Sequence, residues 1–476
     1  MKASSLLKLL LVFANYKASK ADKFEEAIKH IDTQVLNRSE LIYLHKRLLE
    51  HKQENVESLK LDPQRQAMLD SLEEELQRTE VEQVQFSSVG DDIETINKNK
   101  GIGDFLYQSD IVLTEWQVDE ILRTKHDRRS RQAFRDEKYP ETIWPNAIVH
   151  FSFSSNATNK FRDLFRHGAL EWQRETCLNF YEYIHAPHRI ELVSETGCWS
   201  HVGNMHRVQA LSLGEGCDAI GIAAHEIAHA LGMFHHHARH DRDEHIFIDE
   251  SKIMDGMYDQ FTKQTKDTNN NYGLPYEYGS VMHYGSRSFS ADKTRWHTMI
   301  PNDKLYIDTL GSQFINVSRI PRLNAQWEDF QTPKDCLRCV CPGGYGGILC
   351  NERPSGCGEV LQATTDYKKF EDVVGHSWVK KSEENDFFAM CKYWIEAPLG
   401  RTVEVKFHNF TERVAVQGCY YAGVEIKTQR DQRSTGYRFC SPSYTGEVFK
   451  SASNVVPIIT WSRIWPIKVE LWYRMV

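Results

Sequence analysis

Apolar positions in the N-terminal part of the chain recur with the period of a helix. Two groups of leucines share the spacing i, i+3, i+7: Leu41, Leu44 and Leu48, and then Leu69, Leu72 and Leu76. This spacing predicts two amphipathic helices. Pro63 after Asp62 gives the second helix a start, because proline is favoured at the first helical position. We expect both leucine stripes to be packing faces that bind no ligand.

Further along, the pattern alternates between strand and helix. Apolar runs at 147–153 and 188–193 predict strands. Four large apolar side chains with helical spacing lie between these runs: Phe161, Leu164, Phe165 and Trp172. They predict an amphipathic helix that carries Cys177. Strands and helices followed by irregular segments indicate an α+β domain.

From residue 357 onward, apolar and polar positions alternate in places with a period of two. Two sets of residues share this alternation: Val403, Val405 and Phe407, and then Ile467, Val469 and Leu471. Such alternation predicts half-buried strands. We therefore expect the C-terminal part of the chain to be all-β.

The segment HEIAHALGMFH carries the candidate chemistry. His225 and His229 are four residues apart, so on a helix both imidazoles lie on one face, and the neighbouring alanines favour a helix. Gly232 can end that helix in a left-handed turn and return His235 toward the first two imidazoles. Three neutral imidazoles with an open fourth position make a catalytic zinc site. Glu226 is placed there to take a proton from the attacking water.

A chance pair of surface histidines would explain a bare HExxH. The longer pattern HExxHxxGxxH fixes five positions, and it is known from zinc proteases that have a methionine turn downstream. The longer pattern therefore favours the zinc site.

Length and charge narrow the remaining choices. The chain has 476 residues, enough for about three domains. Its net charge is −8 and it has no strongly basic block, so nucleic acid is not an expected partner. No apolar run is long enough to span a bilayer. Residues 1–19, with Lys2 before an apolar stretch that Lys8 interrupts, resemble a signal peptide.

Eleven cysteines lie between residues 177 and 440. This clustering favours disulfide modules in an oxidising compartment and supports secretion better than residues 1–19 do. The alternative is a zinc site at Cys339 and its neighbours, against which the glycine-rich context counts. An odd number leaves at least one thiol without a partner in the same chain.

Residues 20–131 contain no cysteine and are rich in charge, which is consistent with a pro-segment. The basic cluster RRSR stands at the change to the cysteine-bearing part. We expect processing after Arg131, with a mature chain that begins near Gln132. The alternative is an ordinary solvated loop at a domain edge.

Three stretches resemble the astacin family of zinc metalloproteases: HEIAHALGMFHHHARHDRD, GCWSHVG around Cys198, and YEYGSVMHYGS from Tyr276. The later part of the chain resembles nematode-type astacins that carry an EGF-like module and a CUB domain. The resemblance runs from about residue 105 to the end. It implies a two-lobed metzincin catalytic domain with a zinc helix, a helical pro-segment, a short disulfide-rich EGF-like module and an all-β CUB sandwich. The expected ranges are 1–19 for the signal peptide, 20–131 for the pro-segment, 132–330 for the catalytic domain, 331–355 for the truncated EGF-like module and 356–476 for the CUB domain.

The resemblance also assigns roles. Met282 matches the methionine turn, an apolar floor beneath the histidines; composition alone makes it a core residue. Tyr284 matches a tyrosine that is an extra zinc ligand and then stabilises the transition state, although taken alone it would be structural. Asp110, in FLYQSDIVL, matches an aspartate that ligates zinc and keeps the zymogen latent. Ser109 stands where the family usually has glycine, and an exposed loop aspartate is the alternative for Asp110.

One departure from the family lies beside the zinc motif. Relatives have a glutamate directly after the third histidine, where it contacts the new amino terminus of the mature enzyme. This chain has His236, and an imidazole cannot form the same ion pair with an ammonium group. Either maturation is not completed in the usual way or another group substitutes.

The cysteine framework departs as well. Only the second half of an EGF-like module is matched, and the usual partner of Cys177 near the end of the catalytic domain is missing. A deletion or a skipped exon explains both gaps, and pairing of Cys177 with Cys336 or Cys339 is a further alternative. The expected disulfides are Cys198–Cys217, Cys341–Cys350, Cys357–Cys391 and Cys419–Cys440.

Two expectations concern the surface of the protein. The sequence CYYAGVEIK at 419–427 lacks the aspartate of calcium-binding CUB domains, so we expect no calcium there. Asn156, Asn316 and Asn409 each begin an N-x-Ser/Thr sequon and are glycosylation candidates.

These features predict a secreted endopeptidase with one zinc per chain, made as a zymogen. Glu226 would act on a zinc-activated water as general base and then as general acid, and Tyr284 would stabilise the oxyanion. The substrates would be extracellular proteins such as matrix or cuticle components, and the CUB domain would add protein binding. The alternative is a catalytically weak or inactive secreted adhesion or scaffold protein that acts through its CUB domain. Side-chain preference is not readable, because Ser312 and Gln313 follow Gly311 where relatives often have a basic residue.

Overall fold

The computed structural model describes residues 35–50, 52–76, 91–126, 142–266, 269–271, 273–315, 341–380 and 385–476. The predicted signal peptide, the basic cluster that ends at Arg131, Asn316, Cys336 and Cys339 lie outside these ranges. What the sequence implies for them, including the partner of Cys177, stays a prediction.

Residues 20–131, which the sequence predicts to be a pro-segment and which are called the pro-segment below, are mainly helical where the structure describes them. Their described elements are α1 (Arg38–Leu49), α2 (Lys52–Leu59), α3 (Pro63–Leu76), α4 (Ile93–Asn99), β1 (Ile111–Val112) and α5 (Glu115–His126). The two helices predicted from the leucine spacing are α1 and α3. Asp62 accepts from the backbone N–H groups of Gln64 and Arg65 at 2.9 Å, which caps the start of α3.

Both leucine stripes pack against other parts of the chain. Leu41 of α1 clusters with Ile102 and Trp199. Leu69 of α3 clusters with Phe247 of the catalytic domain. The stripes are therefore packing faces, as the sequence predicts.

The catalytic domain begins with a six-stranded sheet that includes β1. The other strands are β2 (Ile148–Phe153), β3 (Asn179–Glu182), β4 (Arg189–Val193), β5 (Cys198–His201) and β6 (Val208–Leu213). Their order is β1-β5-β6-β4-β2-β3. Only the β5–β6 pair in this sheet is antiparallel; β1 pairs with β5 in parallel.

Two helices and a small sheet complete this domain: α6 (Asn159–Glu175), α7 (Ile220–Ala230), and the antiparallel pair β7 (Ile246–Ile248) and β8 (Met299–Pro301). A Cβ added to Gly168 of α6 would lie 3.1 Å from the backbone nitrogen of Ala224 in α7. The glycine therefore lets the two helices pack closely. Trp172 of α6 donates from Nε1 to the carbonyl of Ala224 at 2.9 Å, which fixes α7 on this face.

The predicted helix that was to carry Cys177 ends too early to include it. Thr176 Oγ1 donates to the carbonyl of Trp172 at 2.6 Å and accepts from the N–H of Leu178 at 3.2 Å. These bonds end α6 and lead the chain into β3. The placement of Cys177 on the helix was therefore wrong, whereas the strands predicted on either side are β2 and β4, each beginning one residue later than predicted.

The C-terminal domain is a β-sandwich. Its strands are β9 (Val360–Gln362), β10 (Lys368–Val374), β11 (Ala389–Glu396), β12 (Val403–Phe410), β13 (Ala422–Ile426), β14 (Tyr437–Phe439), β15 (Val448–Lys450), β16 (Val455–Ser462) and β17 (Ile467–Met475). One sheet has the order β14-β13-β16-β11-β9 and the other β10-β17-β12-β15. The six alternating residues of β12 and β17 are all 0% exposed. The predicted all-β, CUB-like sandwich is confirmed.

The apolar core continues from the catalytic domain into the sandwich. Trp172 and Met282 on one side and Phe407 and Trp461 on the other belong to one cluster of buried side chains. The sandwich is therefore fixed against the domain that carries the histidines. In the part of the chain that the structure describes, no helix is long and apolar enough to cross a membrane.

Among the described residues, four disulfides link cysteines of these domains, and they are the four pairs that the sequence predicts. They are Cys198–Cys217, Cys341–Cys350, Cys357–Cys391 and Cys419–Cys440. The Cys341–Cys350 loop packs on the sandwich, where Trp394 Nε1 donates to the carbonyl of Gly344 at 2.7 Å.

Candidate active site

Helix α7 holds two of the predicted ligands and ends at the predicted glycine. The N–H groups of Gly232 and Met233 donate to the carbonyls of His229 and Ala228 at 2.7 and 3.0 Å, which is a Schellman motif. Gly232 has a φ of 96°, a conformation that glycine adopts without strain. The turn brings His235 back toward the helical histidines.

The three imidazoles converge through their Nε2 atoms. His225 Nε2 lies 3.1 Å from the Nε2 atoms of both His229 and His235. On the far side of each ring, Nδ1 lies 2.7 to 2.9 Å from an oxygen: Val281 O for His225, Met233 O for His229, and Gln108 Oε1 for His235. Because these oxygens accept, each Nδ1 carries the proton and each Nε2 presents a lone pair.

Three buried lone pairs that point at one another require a cation between them. Neutral imidazole nitrogens are preferred zinc ligands, and the second-shell oxygens fix the tautomer that zinc needs. The donor set therefore fits zinc, and His225, His229 and His235 form the zinc site of this domain.

Asp110 of the pro-segment joins the same cluster. Its Oδ2 lies 3.1 Å from the Nε2 atoms of His225 and His235, and its Oδ1 lies 3.5 Å from that of His229. The carboxylate is completely buried, so the alternative of an exposed loop aspartate is wrong. Asp110 thus occupies the position that a fourth ligand would take.

Tyr284 lies on the other side of this carboxylate. Its Oη is 2.7 Å from Oδ2 of Asp110 and donates to it. Burial, and after it the charge of Asp110, raises the pKa of Tyr284 well above its ordinary range. The phenol is therefore a hydrogen-bond donor at neutral pH, placed within reach of the metal site.

Glu226 is buried beside the first ligand. It is 0% exposed, and neither of its carboxylate oxygens has a hydrogen-bond partner among the described residues. Burial, followed by the charge of Asp110, raises the pKa of Glu226 well above its ordinary value. Because neither oxygen is engaged by another described group, this side chain is placed to exchange a proton with a group bound at the metal site.

The methionine turn supports two parts of the site. Met282 is buried, and its carbonyl accepts from the N–H of His236 at 2.8 Å. The carbonyl of the preceding Val281 orients His225. The turn therefore contacts both the zinc helix and the segment that follows the third ligand.

His236, which stands where relatives have a glutamate, forms a hydrogen bond with a backbone group. Its Nε2 accepts from the N–H of Glu277 at 3.2 Å. The Glu277 carboxylate in turn accepts from the N–H of Thr435, in the sandwich, at 3.3 Å. The position after the third ligand thus carries a hydrogen-bond acceptor but no anion.

Sequence reasoning missed Gln108, which orients the third ligand. Besides its bond to His235, its carbonyl accepts from Tyr284 Oη at 2.8 Å, and its Nε2 donates to the carbonyl of Thr262 at 3.1 Å. Its proximity to Asp110 in the chain was the available indication.

Sequence reasoning also missed Asn97, because nothing in the polar sequence around it indicates a structural role. Its Nδ2 donates to the carbonyls of Ser109 and Cys198 at 2.9 and 2.6 Å, and its Oδ1 accepts from the N–H of Cys198 at 2.8 Å. One buried amide therefore ties the Asp110 turn to strand β5.

A cavity of about 430 Å³ adjoins His225 and Tyr284. Three parts of the chain line it: the pro-segment, the catalytic domain and the sandwich. Its lining includes Thr95, Lys293, Gln313, Gln417 and Tyr420. The neutral Gln313, noted in the sequence where relatives often have a basic residue, belongs to this lining.

Two of the sequons lie at the surface. Asn156 and Asn409 are exposed, Asn156 just before α6 and Asn409 at an irregularity of β12. Their exposure is compatible with glycosylation.

Residues 136–327 match the peptidase family described as astacin. The zinc metalloproteinase nas-31 of Caenorhabditis elegans is 39% identical over 410 residues, which cover 81% of this chain and 66% of that protein. From the same organism, nas-23 is 34% identical, and the match covers 77% of this chain and 71% of that protein. The protein nas-17 is 31% identical, and the match covers 82% of this chain and 91% of that protein. The chain spans somewhat less than two thirds of the length of nas-31 and 60% of nas-32.

Solved structures are similar at a lower level. The hatching enzyme zinc-protease HCE-1 of Oryzias latipes matches with 29% identity and a TM-score of 0.36, over 39% of this chain and 96% of that one. The CUB1-EGF-CUB2 domains of rat MASP-1 match with 16% identity and a TM-score of 0.18, over 25% of this chain and 42% of that one. Scores this low add nothing to the argument from sequence.

Proposed function

Because the chain belongs to the astacin family of zinc metalloproteases, we propose that it is a secreted endopeptidase made as a zymogen. One observation carries the proposal. Three Nε2 atoms with lone pairs available to a metal lie beside Glu226, which is buried and has no hydrogen-bond partner among the described residues, and the carboxylate of Asp110 covers them. A scaffold protein without activity would need neither the partnerless Glu226 nor the cover.

His225, His229 and His235 would hold the metal. Zinc bound there would lower the pKa of a water and polarise the scissile carbonyl. Glu226 takes the proton of the attacking water as general base and gives it to the departing amine as general acid.

Tyr284 supplies the oxyanion stabilisation. While the pro-segment is in place, the phenol of Tyr284 donates to an oxygen of Asp110. When that carboxylate leaves, the same O–H is free to donate to the oxygen on which charge develops during attack. The phenol therefore exchanges one anionic acceptor for another.

Asp110 keeps the precursor latent. It occupies the place of the attacking water among the three Nε2 atoms. Strand β1, which follows it, pairs with the edge strand β5, with Ile111 opposite Ser200. An extended peptide substrate cannot pair with an edge that is already occupied. The pro-segment thus blocks both the chemistry and the docking of substrate.

Processing after Arg131 and secretion complete the proposal. The four disulfides, which suit an oxidising compartment, support export. The proposed substrates are then extracellular proteins, such as matrix or cuticle components. The domain ranges deduced from the sequence are part of this proposal.

The test is peptide hydrolysis by zinc-loaded protein cut after Arg131. Glu226→Ala should retain the metal and lose hydrolysis by at least about a thousandfold, because it removes the proton acceptor. Glu171→Ala is the matched control, since Glu171 lies exposed on α6. Equal rates for wild type and Glu226→Ala would refute the proposal.

A further inference from the structure

The cavity beside His225 and Tyr284 has one wall that does not belong to the catalytic domain. Val416, Gln417 and Tyr420 line it, and all three lie in the loop between β12 and β13 of the sandwich. We propose that this wall, with Gln417 at its centre, forms part of the substrate-binding cleft, so that the sandwich helps to select the peptide bond that is cut. The inference rests on the proposed endopeptidase function.

The sandwich loop makes close backbone contact with the segments around the metal site. A Cβ added to Gly418 would overlap the carbonyl oxygen of Gly311. A Cβ added to Gly285, the residue after Tyr284, would overlap Oε1 of Gln417. Glycine is required at position 418, because the overlap there is with backbone and the φ of Gly418 is 69°, whereas at Gly285 a side chain would displace the amide of Gln417. The loop is therefore seated directly against the turn that carries Tyr284.

Gln417 is held at one end and available at the other. Its Oε1 accepts from the backbone N–H of Arg287 at 2.6 Å, which fixes the orientation of the amide. Its Nε2 has no acceptor among the described residues, and the side chain is half-buried. A positioned donor at the edge of a cavity beside the metal is suited to bind a carbonyl or side-chain oxygen of a peptide.

The wall is anchored, so it stays in place when the pro-segment leaves. Arg438 of β14 donates to Glu425 at 2.9 Å and to Ser312 of the catalytic domain. Phe314 of the catalytic domain packs between Phe388 and Trp461 of the sandwich, with ring centroids 4.7 and 5.1 Å apart. The pro-segment side of the cavity, at Thr95, is lost on processing, whereas the Gln417 side remains.

Few charged side chains remain in the cavity lining after processing, so a charge introduced at Gln417 should have a large effect on substrate preference. Apart from histidines and tyrosines, Lys293 is the one ionisable side chain that the catalytic domain and sandwich contribute to the described lining. A carboxylate introduced at Gln417 would therefore change the sign or size of the local field substantially. Gln417→Glu is nearly isosteric and keeps an oxygen to accept from Arg287 N–H.

The experiment uses full-length, zinc-loaded protein processed after Arg131 and a mixture of peptides that vary at each position near the scissile bond. For Gln417→Glu we expect the ratio of kcat/KM for lysine over aspartate to rise about tenfold, at one or two adjacent positions only. Gln417→Ala should instead favour larger side chains at those same positions. Gln362→Glu, an exposed position on β9, should match wild type.

The outcomes are distinguishable. If wild type cleaves and both Gln417 variants keep its zinc content and its preference at every position, the inference is wrong and the proposed function stands. If wild type cleaves no peptide in the mixture, the proposed function fails, and the inference fails with it. A Gln417→Glu protein that loses zinc would leave the decision to Gln417→Ala.

Discussion

Two surfaces cover the catalytic domain near its metal site, and they are built differently. The pro-segment is attached beside the metal through polar groups: Asp110 on the histidines, Gln108 on His235, and Asn97 on β5. The sandwich is attached through a continuous apolar core, through contacts of Phe314 with Phe388 and Trp461, and through a hydrogen bond from Arg438 to Ser312.

This difference agrees with the proposal that the pro-segment is removed and the sandwich is retained. Polar contacts near a metal can be exchanged for water and substrate, because each partner finds another partner once the pro-segment is gone. An apolar interface has no such replacement, since its separation exposes buried surface to water. The polar contacts beside the metal are thus suited to exchange when the pro-segment leaves, although its leucine stripes, like the sandwich, pack on the catalytic domain through apolar side chains.

Arg438→Ala should have the largest effect, because it removes a buried ion pair within the sandwich together with the hydrogen bond to Ser312 of the catalytic domain. It leaves Glu425, 4% exposed, without its guanidinium partner, and removing one member of a buried pair costs about 3–5 kcal/mol. Urea unfolding followed by tryptophan fluorescence measures the loss. Arg433→Ala is the control; its pair with Asp431 is exposed, so the change should be below about 1 kcal/mol. Equal effects of the two variants would contradict the importance of the buried pair.

Asp110→Ala should open the removable cover without any cut. The three histidines and Glu226 are kept, so hydrolysis by the uncut protein should rise about tenfold above that of uncut wild type; it should stay below that of the cut protein, because β1 still occupies the edge of β5. Asp119→Ala serves as control, because Asp119 pairs with Arg47 within the pro-segment, at 2.7 Å. An uncut Asp110→Ala protein as inactive as the uncut wild type would show that latency comes from the rest of the pro-segment.

Asp308 offers a smaller test that depends on pH. It is buried at the sandwich interface; burial raises the pKa of Asp308 from 3.8 to about 6, although the hydrogen bond from Tyr444 opposes this. The folded state therefore binds more protons than the unfolded state between about pH 4 and 6, and stability falls as pH rises through that window. Asp308→Asn should remove this dependence and gain roughly 1–3 kcal/mol at pH 7.

Thermal unfolding of both proteins at pH 4, 5, 6 and 7 provides the measurement. A second group at this interface acts in the opposite direction. Burial raises the pKa of Glu425, but the charges of Arg438 and Lys427, together with hydrogen bonds from Gly436 and Arg438, hold that pKa below the ordinary value. Its contribution is present above the ordinary carboxyl pKa and is lost only at lower pH. Parallel pH profiles for wild type and Asp308→Asn would contradict the account of Asp308.

The zinc helix, its glycine stop and the third histidine followed from sequence, because local spacing fixes them. The same reason explains why the sequence predicted helices α1 and α3 from their leucine stripes and strands β12 and β17 from their alternation. Helix α5 was missed although Val118, Ile121 and Leu122 have helical spacing. Local patterns of apolar residues thus predicted the helices and strands of the segments to which they were applied.

Contacts between distant segments could not be read from local patterns. Asn97 meets Cys198, and Gln417 meets the turn at Tyr284, only because the fold brings them together. No periodicity or motif marks either amide. The position of Asp110 among the histidines is the exception, and it was expected from resemblance to a family and not from spacing.

The most direct test of the account measures zinc content and peptide hydrolysis on one preparation before and after cleavage at Arg131. We predict about one zinc per chain in both states and hydrolysis only after cleavage, since the pro-segment covers a metal site that is already assembled. Cut protein that holds zinc but hydrolyses no peptide, or uncut protein that hydrolyses peptides at the same rate as the cut form, would contradict it.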